Sequence, residues 1–299
     1  MQKPHEFMSF IASQHQQSLS GFTGSPRKVR MIGGHAMSNP DWAELTRFAM
    51  ALAEASAAAI MPYFRRNTAV DIKDGPVWDP VTEGDRAGER AIRALIERHY
   101  PDHGIHGEEY GVKEARSPFT WVLDPVDGTR AFVCGMPTWA TLIGLSHEGR
   151  PVLGLMNQPV VGEMFYGSPE GAWHDYRGTA TPITTRKGVP LRRATIGTTA
   201  PELYRSADNQ RRFQALRGLA QLTRYGGDSY FFCMMAAGHL DIAMDCGLQP
   251  YDITPLLPII TGAGGVATEW TGGDLAKGGN VLTAGSAELL DEALAIMSS

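Results

Sequence analysis

The stretch Trp121–Arg130, WVLDPVDGTR, constrains this chain more than any other. It sets two carboxylates, Asp124 and Asp127, between an apolar run and a Gly-Thr step. Residues Phe119 to Leu123 are aromatic and branched, which predicts a buried strand. Pro125 is expected to stop that strand, leaving Asp124 at its C-terminal end, where open sheets place ligand groups. Asp127-Gly128-Thr129 would then open a helix whose first N–H groups point outward. A carboxylate cluster repels a phosphate unless cations lie between them, so hard divalent ions with oxygen ligands are the natural mediators.

The rest of the chain reads as a mixed α/β (α+β) protein. Ser38-Asn39-Pro40 is a helix-start signal, and Leu45, Phe48, Ala49, Leu52, Ala55, Ala59 and Ile60 recur at helical spacing, predicting a helix from about Asp41 to Phe64. A strand is expected over Ala69 to Lys73, with a mobile hairpin from Lys73 to Pro80. A second helix is expected from Thr82, its cap, to Tyr100, on the stripe Ala87, Ala91, Ile92, Leu95 and Ile96. From Thr138 on, short apolar runs separated by Glu148-Gly149, Val161-Gly162 and Glu170-Gly171 predict an antiparallel meander. After a polar connector at Ile183 to Arg192, strands are expected over Thr195–Thr199, Leu240–Met244, Val266–Trp270 and Val281–Ala284. Helices are expected over Arg212–Leu222, Asp228–Ala237, Ile253–Ile260 and from Ser286 onward.

Composition narrows the class. The 299 residues, 43% of them hydrophobic, suffice for one large domain or two joined ones. A net charge of −5, from 27 basic and 32 acidic residues without a basic stripe, argues against nucleic acid as partner. Cys134, Cys233 and Cys246 have no C-x-x-C spacing, which favours a reducing cytoplasm and three small buried hydrophobes. Residues 1–37, rich in Gln, His and Ser, read as a disordered extension with no signal or membrane segment. An overextended start, with Met31 or Met37 as initiator, accounts for that extension better than an organellar transit segment, because positive charge is sparse. His103 and His106 stand in an H-x-x-H spacing, but the surrounding strand character does not suit a zinc helix.

Three separate motifs then point the same way: GEE at 107–109, DPVDGT at 124–129 and YDITPLLPIITGAGG at 251–265. In this order they resemble the signatures of the inositol monophosphatase family, over a span from about residue 41 to the C-terminus. The resemblance implies a layered α-β-α-β-α sandwich of the sugar-phosphatase type, with an N-terminal half over 38–192 and a C-terminal half over 193–299. It implies an Mg²⁺-dependent phosphomonoesterase with two or three ions per site. Glu108, Asp124 and the Val126 carbonyl would hold the first ion, and Asp124, Asp127 and Asp252 the second. Thr129, helped by Glu108 and fixed by Asp85, would orient the attacking water, and Asp127, Gly128 and Thr129 would meet the phosphate.

The family reads its leaving group around an R-x-x-G-[ST]-A stretch and an acid before the last motif. Here these positions give Arg224, Asp228 and Asp245, and two carboxylates facing a leaving group favour a cation over a neutral polyol. With TRAFVCGMPTW and RYGGDSY, this is similar to the histidinol-phosphate phosphatase branch, placing the protein in histidine biosynthesis. Asp228 has an alternative reading as a helix N-cap. The competing functions are an inositol-1-phosphate, other sugar or nucleotide monophosphate phosphatase, and a catalytically silent phosphate-binding protein. The expected partner is a small phosphate monoester, with no nucleic acid and no membrane, in a cytoplasmic homodimer.

Overall fold

A computed structural model describes residues 40–66, 69–72 and 80–298. The expected extension over 1–37 and most of the expected hairpin, residues 73–79, lie outside the described residues. Helix α1 (Trp42–Ile60) is capped by Asp41, whose Oδ1 accepts the Glu44 N–H at 2.9 Å. Strands β1 (Val70–Ile72) and β2 (Pro80–Thr82) pair antiparallel. Helix α2 (Glu83–His99) follows at once, capped by Thr82 as the sequence suggests: Thr82 Oγ1 accepts the Gly84 N–H, and Asp85 returns to accept the Thr82 N–H at 2.8 Å.

Eight strands then build one sheet: β3 (Gly104–Gly107), β4 (Gly111–Lys113), β5 (Phe119–Asp127), β6 (Ala140–His147), β7 (Arg150–Gln158), β8 (Glu163–Ser168), β9 (Gly171–Tyr176) and β10 (Thr179–Pro182). Their order is β10-β9-β8-β7-β6-β5-β3-β4, and only β3 and β5 are parallel neighbours. The predicted meander is thus the β6 to β9 run, extended at one edge by β10. Between β5 and β6 lies the short helix α3 (Thr129–Val133).

A second sheet follows, from β11 (Thr195–Thr198), β12 (Leu222–Tyr225), β13 (Ile242–Leu248), β14 (Val266–Glu269) and β15 (Gly279–Ala284), in the order β12-β11-β13-β15-β14. Interleaved with it are α4 (Ala207–Leu219), α5 (Asp228–Ala236), α6 (Pro250–Ile253), α7 (Leu257–Gly262) and the closing α8 (Ala287–Ser298).

The alternation of side chains along a strand turns these elements into layers. Ile143, Leu145, Leu153 and Leu155 face α1 and α2. Leu142, Met156 and Phe165 face the other way, onto Phe232 and Met235 of α5 and Ile259 and Ile260 of α7. Ala243 and Val281 of the second sheet close that same core, while Ile242, Met244 and Leu282 point onward to α4 and α8. The resulting sequence is helix, sheet, helix, sheet, helix.

The middle layer rests on glycine contacts. A Cβ on Gly154 would lie 1.8 Å from the Pro255 carbonyl oxygen, and one on Gly167 would lie 2.3 Å from that of Pro258. Backbone therefore packs on backbone, and this fixes the height at which α7 and the break before it meet the sheet. Gly154→Ala is expected to cost about 1–3 kcal/mol through overpacking, read as a lowered thermal unfolding midpoint.

Several boundaries differ from expectation. Pro125 does not stop β5, which runs on to Asp127. The helix expected over Ile253–Ile260 is two short helices with a break at Thr254 to Leu256. The helix expected over Arg212–Leu222 begins earlier, at Ala207, capped by Ser206, and Leu222 instead opens an edge strand. Residue Asp245 lies inside β13 rather than beyond it. Cys134 is exposed, against the expected burial of all three cysteines, because it is the C-cap of α3. His103 is a core ring, not a ligand: its Nδ1 accepts the Trp121 indole N–H at 3.1 Å, it stacks on Tyr100 and Phe119, and burial pushes its pKa down to about 4. Among the described residues, no helix is long and apolar enough to cross a membrane.

Candidate active site

Strict alternation would send Asp124 and Asp127, three residues apart, to opposite faces of β5. A bulge prevents this. Asp124 pairs with Leu142 and Asp127 with Ala140, so three steps on β5 match two on β6. The bulge is held by Thr141 Oγ1 donating to the Pro125 carbonyl at 2.8 Å and by the Val126 N–H donating to Asp124 Oδ1 at 3.0 Å. Pro125 suits the position, since its missing N–H needs no ladder partner. Beneath it, Ile60, Phe64, Val126, Phe132 and Trp139 form a small apolar cluster that braces the turn.

Both aspartates then meet Asp252, which the one-turn helix α6 presents from its third position. One Asp252 oxygen, Oδ2, accepts the Gln249 N–H at 2.7 Å. Carboxylate oxygens of Asp124, Asp127 and Asp252 lie within 4.8 Å of one another. Glu108, set by its N–H donating to the Leu123 carbonyl at 3.1 Å, adjoins them in a cleft of about 630 Å³. Burial holds Asp124 well above the usual carboxylate range, and repulsion from Glu108, Asp127 and Asp252 adds to it. Asp252 is raised by burial and by Asp127. Burial also raises Asp127, while the Ser229 hydroxyl and N–H pull it back. None of the three aspartates forms a salt bridge with a described Arg, Lys or His. An all-oxygen, multiply charged, internally unneutralised donor set fits hard divalent cations.

Gly128 turns the chain from strand to helix at φ +80°, a left-handed conformation that glycine adopts without penalty. Thr129 opens α3, its hydroxyl 3.0 Å from the Val126 carbonyl and 3.4 Å from Asp85 Oδ1. Asp85 is buried behind it, and its other oxygen accepts both Thr82 donors. Asp85 is thus a supporting group, and it is not part of the cleft wall.

Beyond the acid cluster, the cleft is walled by Asp228, Asp245, Arg130, Arg205 and Asn209. Asp245 is buried and held by three donors: Thr198 Oγ1 at 2.8 Å, the Thr199 N–H at 2.9 Å and Thr199 Oγ1 at 2.8 Å. Burial still lifts it to about 6. Asp228 does not cap α5; Gly227 occupies the cap without a side-chain bond. Instead Asp228 takes φ +44°, rare for a residue with a Cβ, and its carboxyl lies against Gly128. Burial, then Asp127 and Asp245, raise Asp228 to about 8, opposed by Thr199 and Arg130. Arg224 is not brought to this wall: it lies exposed on the edge strand β12.

Sequence reasoning missed the residues that hold the named ones. Glu89, fully buried in α2, accepts the Glu109 N–H at 2.7 Å, the Tyr110 N–H at 3.2 Å and the Arg93 Nε–H at 2.7 Å, clamping the turn that carries Glu108. Gly107 is required there, since a Cβ would lie 2.0 Å from Glu89 Oε1. The one sequence signal for Glu89 is an acid beside Gly88, Ile92 and Ile96 on the face of α2 that also carries Asp85. Thr198 and Thr199 have no comparable signal.

Layered fold and buried acid cluster together define a metal-dependent hydrolase of phosphate monoesters. The chain belongs to the inositol monophosphatase family, whose model matches residues 41–298. It is 38% identical over 265 residues to the bifunctional phosphatase IMPL2, chloroplastic, of Arabidopsis thaliana, covering 84% of this chain and 75% of that one. It is 33% identical over 272 residues to a histidinol-phosphatase of Streptomyces coelicolor, covering 87% and 98%. The solved structure of an inositol monophosphatase from Zymomonas mobilis matches with a TM-score of 0.77 and 36% identity, over 87% of this chain and all of that one.

Proposed function

We propose that the protein hydrolyses L-histidinol phosphate to L-histidinol and phosphate, using Mg²⁺, two or three ions per site. Glu108, Asp124, the Val126 carbonyl, Asp127 and Asp252 would hold the ions. When bound, such ions supply Lewis-acid polarisation of the phosphoryl group and acidify water at the site. Thr129 would orient the attacking water through its hydroxyl, whose proton has two acceptors within reach, the Val126 carbonyl at 3.0 Å and Asp85 at 3.4 Å; with the carbonyl given to an ion, Asp85 would take it. Gly128 and Thr129 offer backbone N–H groups to the phosphate oxygens at the start of α3.

The observation that carries the substrate is Asp245. Three of its roughly four acceptor positions are filled by Thr198 and Thr199. It has no described cationic partner, and a second carboxyl, Asp228, shares its wall. A leaving group with an ammonium neutralises this wall, whereas a neutral polyol leaves it charged and partly desolvated. The Streptomyces relative supports the same reading. The reading also carries a homodimer in the cytoplasm, and a functional division near residue 192 between metal-holding and substrate-reading halves.

A phosphate-release screen over monophosphate esters with Mg²⁺ tests it: histidinol phosphate should lead, and a tenfold preference for inositol 1-phosphate would overturn it. Asp245→Asn is expected to raise KM for histidinol phosphate about tenfold or more, as expected for loss of a charge-assisted bond of about 1.5–3 kcal/mol. The ester lacking the amino group should respond far less. The second reading, an inositol or other sugar phosphate phosphatase, draws on the 36% identity to the Zymomonas enzyme.

A further inference from the structure

A second hollow, of about 450 Å³, shares no lining residue with the acid cleft. The turn after α1 contributes Arg65 and Arg66, β1 contributes Val70, and Phe132 and Cys134 come from the end of α3. Among the described residues its wall holds two guanidinium groups and no carboxylate, on a chain whose net charge is −5. Arg65 takes φ +56°, a left-handed conformation uncommon for a residue with a Cβ. Its Nε–H donates to the Gly135 carbonyl at 2.9 Å, and its guanidinium carbon lies 5.1 Å from the Phe64 ring centroid. These contacts fix the group yet use only one of its five N–H donors. Arg66 is exposed, and its side chain forms no hydrogen bond or ion pair among the described residues. Backbone strain of this kind persists where its surroundings fix it, and it clusters at binding sites.

We infer that this hollow is a second anion site, which binds a dianionic phosphoryl group, as inorganic phosphate or as the phosphate of a small ester. Two guanidinium groups carry two positive charges, and a phosphate monoester carries close to two negative ones near neutral pH. The planar fork of arginine places paired N–H donors on two oxygens of one phosphate. Because Arg65 is already held by Phe64 and Gly135, it loses little side-chain freedom when an anion arrives. No acid on the described wall opposes the ligand, so here, unlike in the acid cleft, phosphate needs no metal ion between it and the protein. The hollow backs onto the catalytic turn rather than opening into it. Thr82 on its wall donates to Asp85 Oδ2 at 2.5 Å, and Cys134 caps the helix that Thr129 begins. The inference does not depend on which ester the enzyme cleaves.

Cys134 supplies the readout, because its thiol is exposed on the same wall whereas Cys233 and Cys246 are buried. The full-length, Mg²⁺-loaded enzyme is alkylated with iodoacetamide, a neutral reagent, and the adduct at Cys134 is followed by mass spectrometry. Inorganic phosphate or methylphosphonate at about 10 mM is expected to slow alkylation about sixfold relative to chloride at equal ionic strength. That is the slowing for a dissociation constant of about 2 mM and an unreactive bound form. Protection by both probes marks a site for any phosphoryl group, and protection by phosphate alone a site for the free ion. Arg66→Ala should cut the slowing below about twofold, since one of two charges is gone. Arg65→Gly should do the same, and glycine keeps the left-handed turn without strain. Protection should persist in EDTA, which separates this site from phosphate held through ions at the acid cluster. No slowing relative to chloride, equal slowing by succinate, loss of protection in EDTA, or full protection in Arg66→Ala would each overturn the inference.

Discussion

Asp124→Asn is expected to cut turnover of any phosphate ester by about a thousandfold or more while making the metal-free protein more stable. The first effect follows from position. Asp124 is the acid that Glu108, Asp127 and Asp252 all press upon, so it is the centre of the charge that cations must neutralise. Transition-state stabilisation by bound ions is worth several kcal/mol, and about 4 kcal/mol corresponds to a thousandfold. The second effect follows from sign. A buried carboxyl whose folded pKa is raised stabilises the fold fully below its unfolded pKa of about 3.9, and that contribution is lost as pH rises through the folded value. Asp124, Asp127, Asp252, Asp228 (about 8) and Asp245 (about 6) all shift in this direction. In chelator, these groups should therefore lower the melting temperature between about pH 5 and pH 8. On the proposed function, Mg²⁺ should reverse the penalty by replacing protons with fixed positive charge, so the gap between Mg²⁺-loaded and chelated midpoints should widen as pH rises. Asparagine at 124 removes one member of the repelling set and should shrink that gap together with activity. Full turnover in EDTA, or by the variant, would contradict a metal mechanism.

Glu89→Ala is expected to cost about 3–5 kcal/mol, the range for breaking a buried ion pair from one side. The carboxylate is fully buried, and its loss strands Arg93 and the N–H groups of Glu109 and Tyr110 together. Arg93 keeps its contact with the Gly111 carbonyl, so the positive charge stays in place without its counter-charge. For a domain of this size the thermal midpoint should fall on the order of 10 °C. Activity should also fall below what the residual folded fraction explains, because Glu108 is the residue before the clamped pair. If Glu108 is an ion ligand as proposed, saturating Mg²⁺ should recover part of that activity, since ion binding would offset the cost of ordering its loop. A Glu89→Ala protein with unchanged midpoint and unchanged Mg²⁺ requirement would show the clamp to be dispensable.

The comparison of sequence with structure turns on which interactions are local. Thr82 reads as a helix cap, and it caps α2, because a capping box spans only a few residues. The meander from β6 to β9 is legible because strand period and turn chemistry are both short-range signals. Asp228 shows the limit. Its sequence context, a Gly-Asp step before an apolar run, suits an N-cap, yet it takes φ +44°, and its carboxyl lies against Gly128 and bonds Thr199 in the cleft wall. Arg224 fails for the opposite reason: its strand lies at a sheet edge, and edge position is a property of strand order.

By itself the sequence determined the inventory of this site, its acids, its glycine turn and the order of helices and strands that carry them, since these depend on residue type and near-neighbour spacing. Only the tertiary structure decided how the inventory meets. The β5 bulge brings Asp124 and Asp127 to one side, the backbone contact at Gly154 sets the level of the segment that directly follows the helix bearing Asp252, and Glu89, Thr198 and Thr199 hold acids far from them in the chain. The physical reason is range. A dihedral preference acts over a few residues, whereas the facing of two carboxylates across 125 positions is fixed by register, close packing and the repulsion those groups must share.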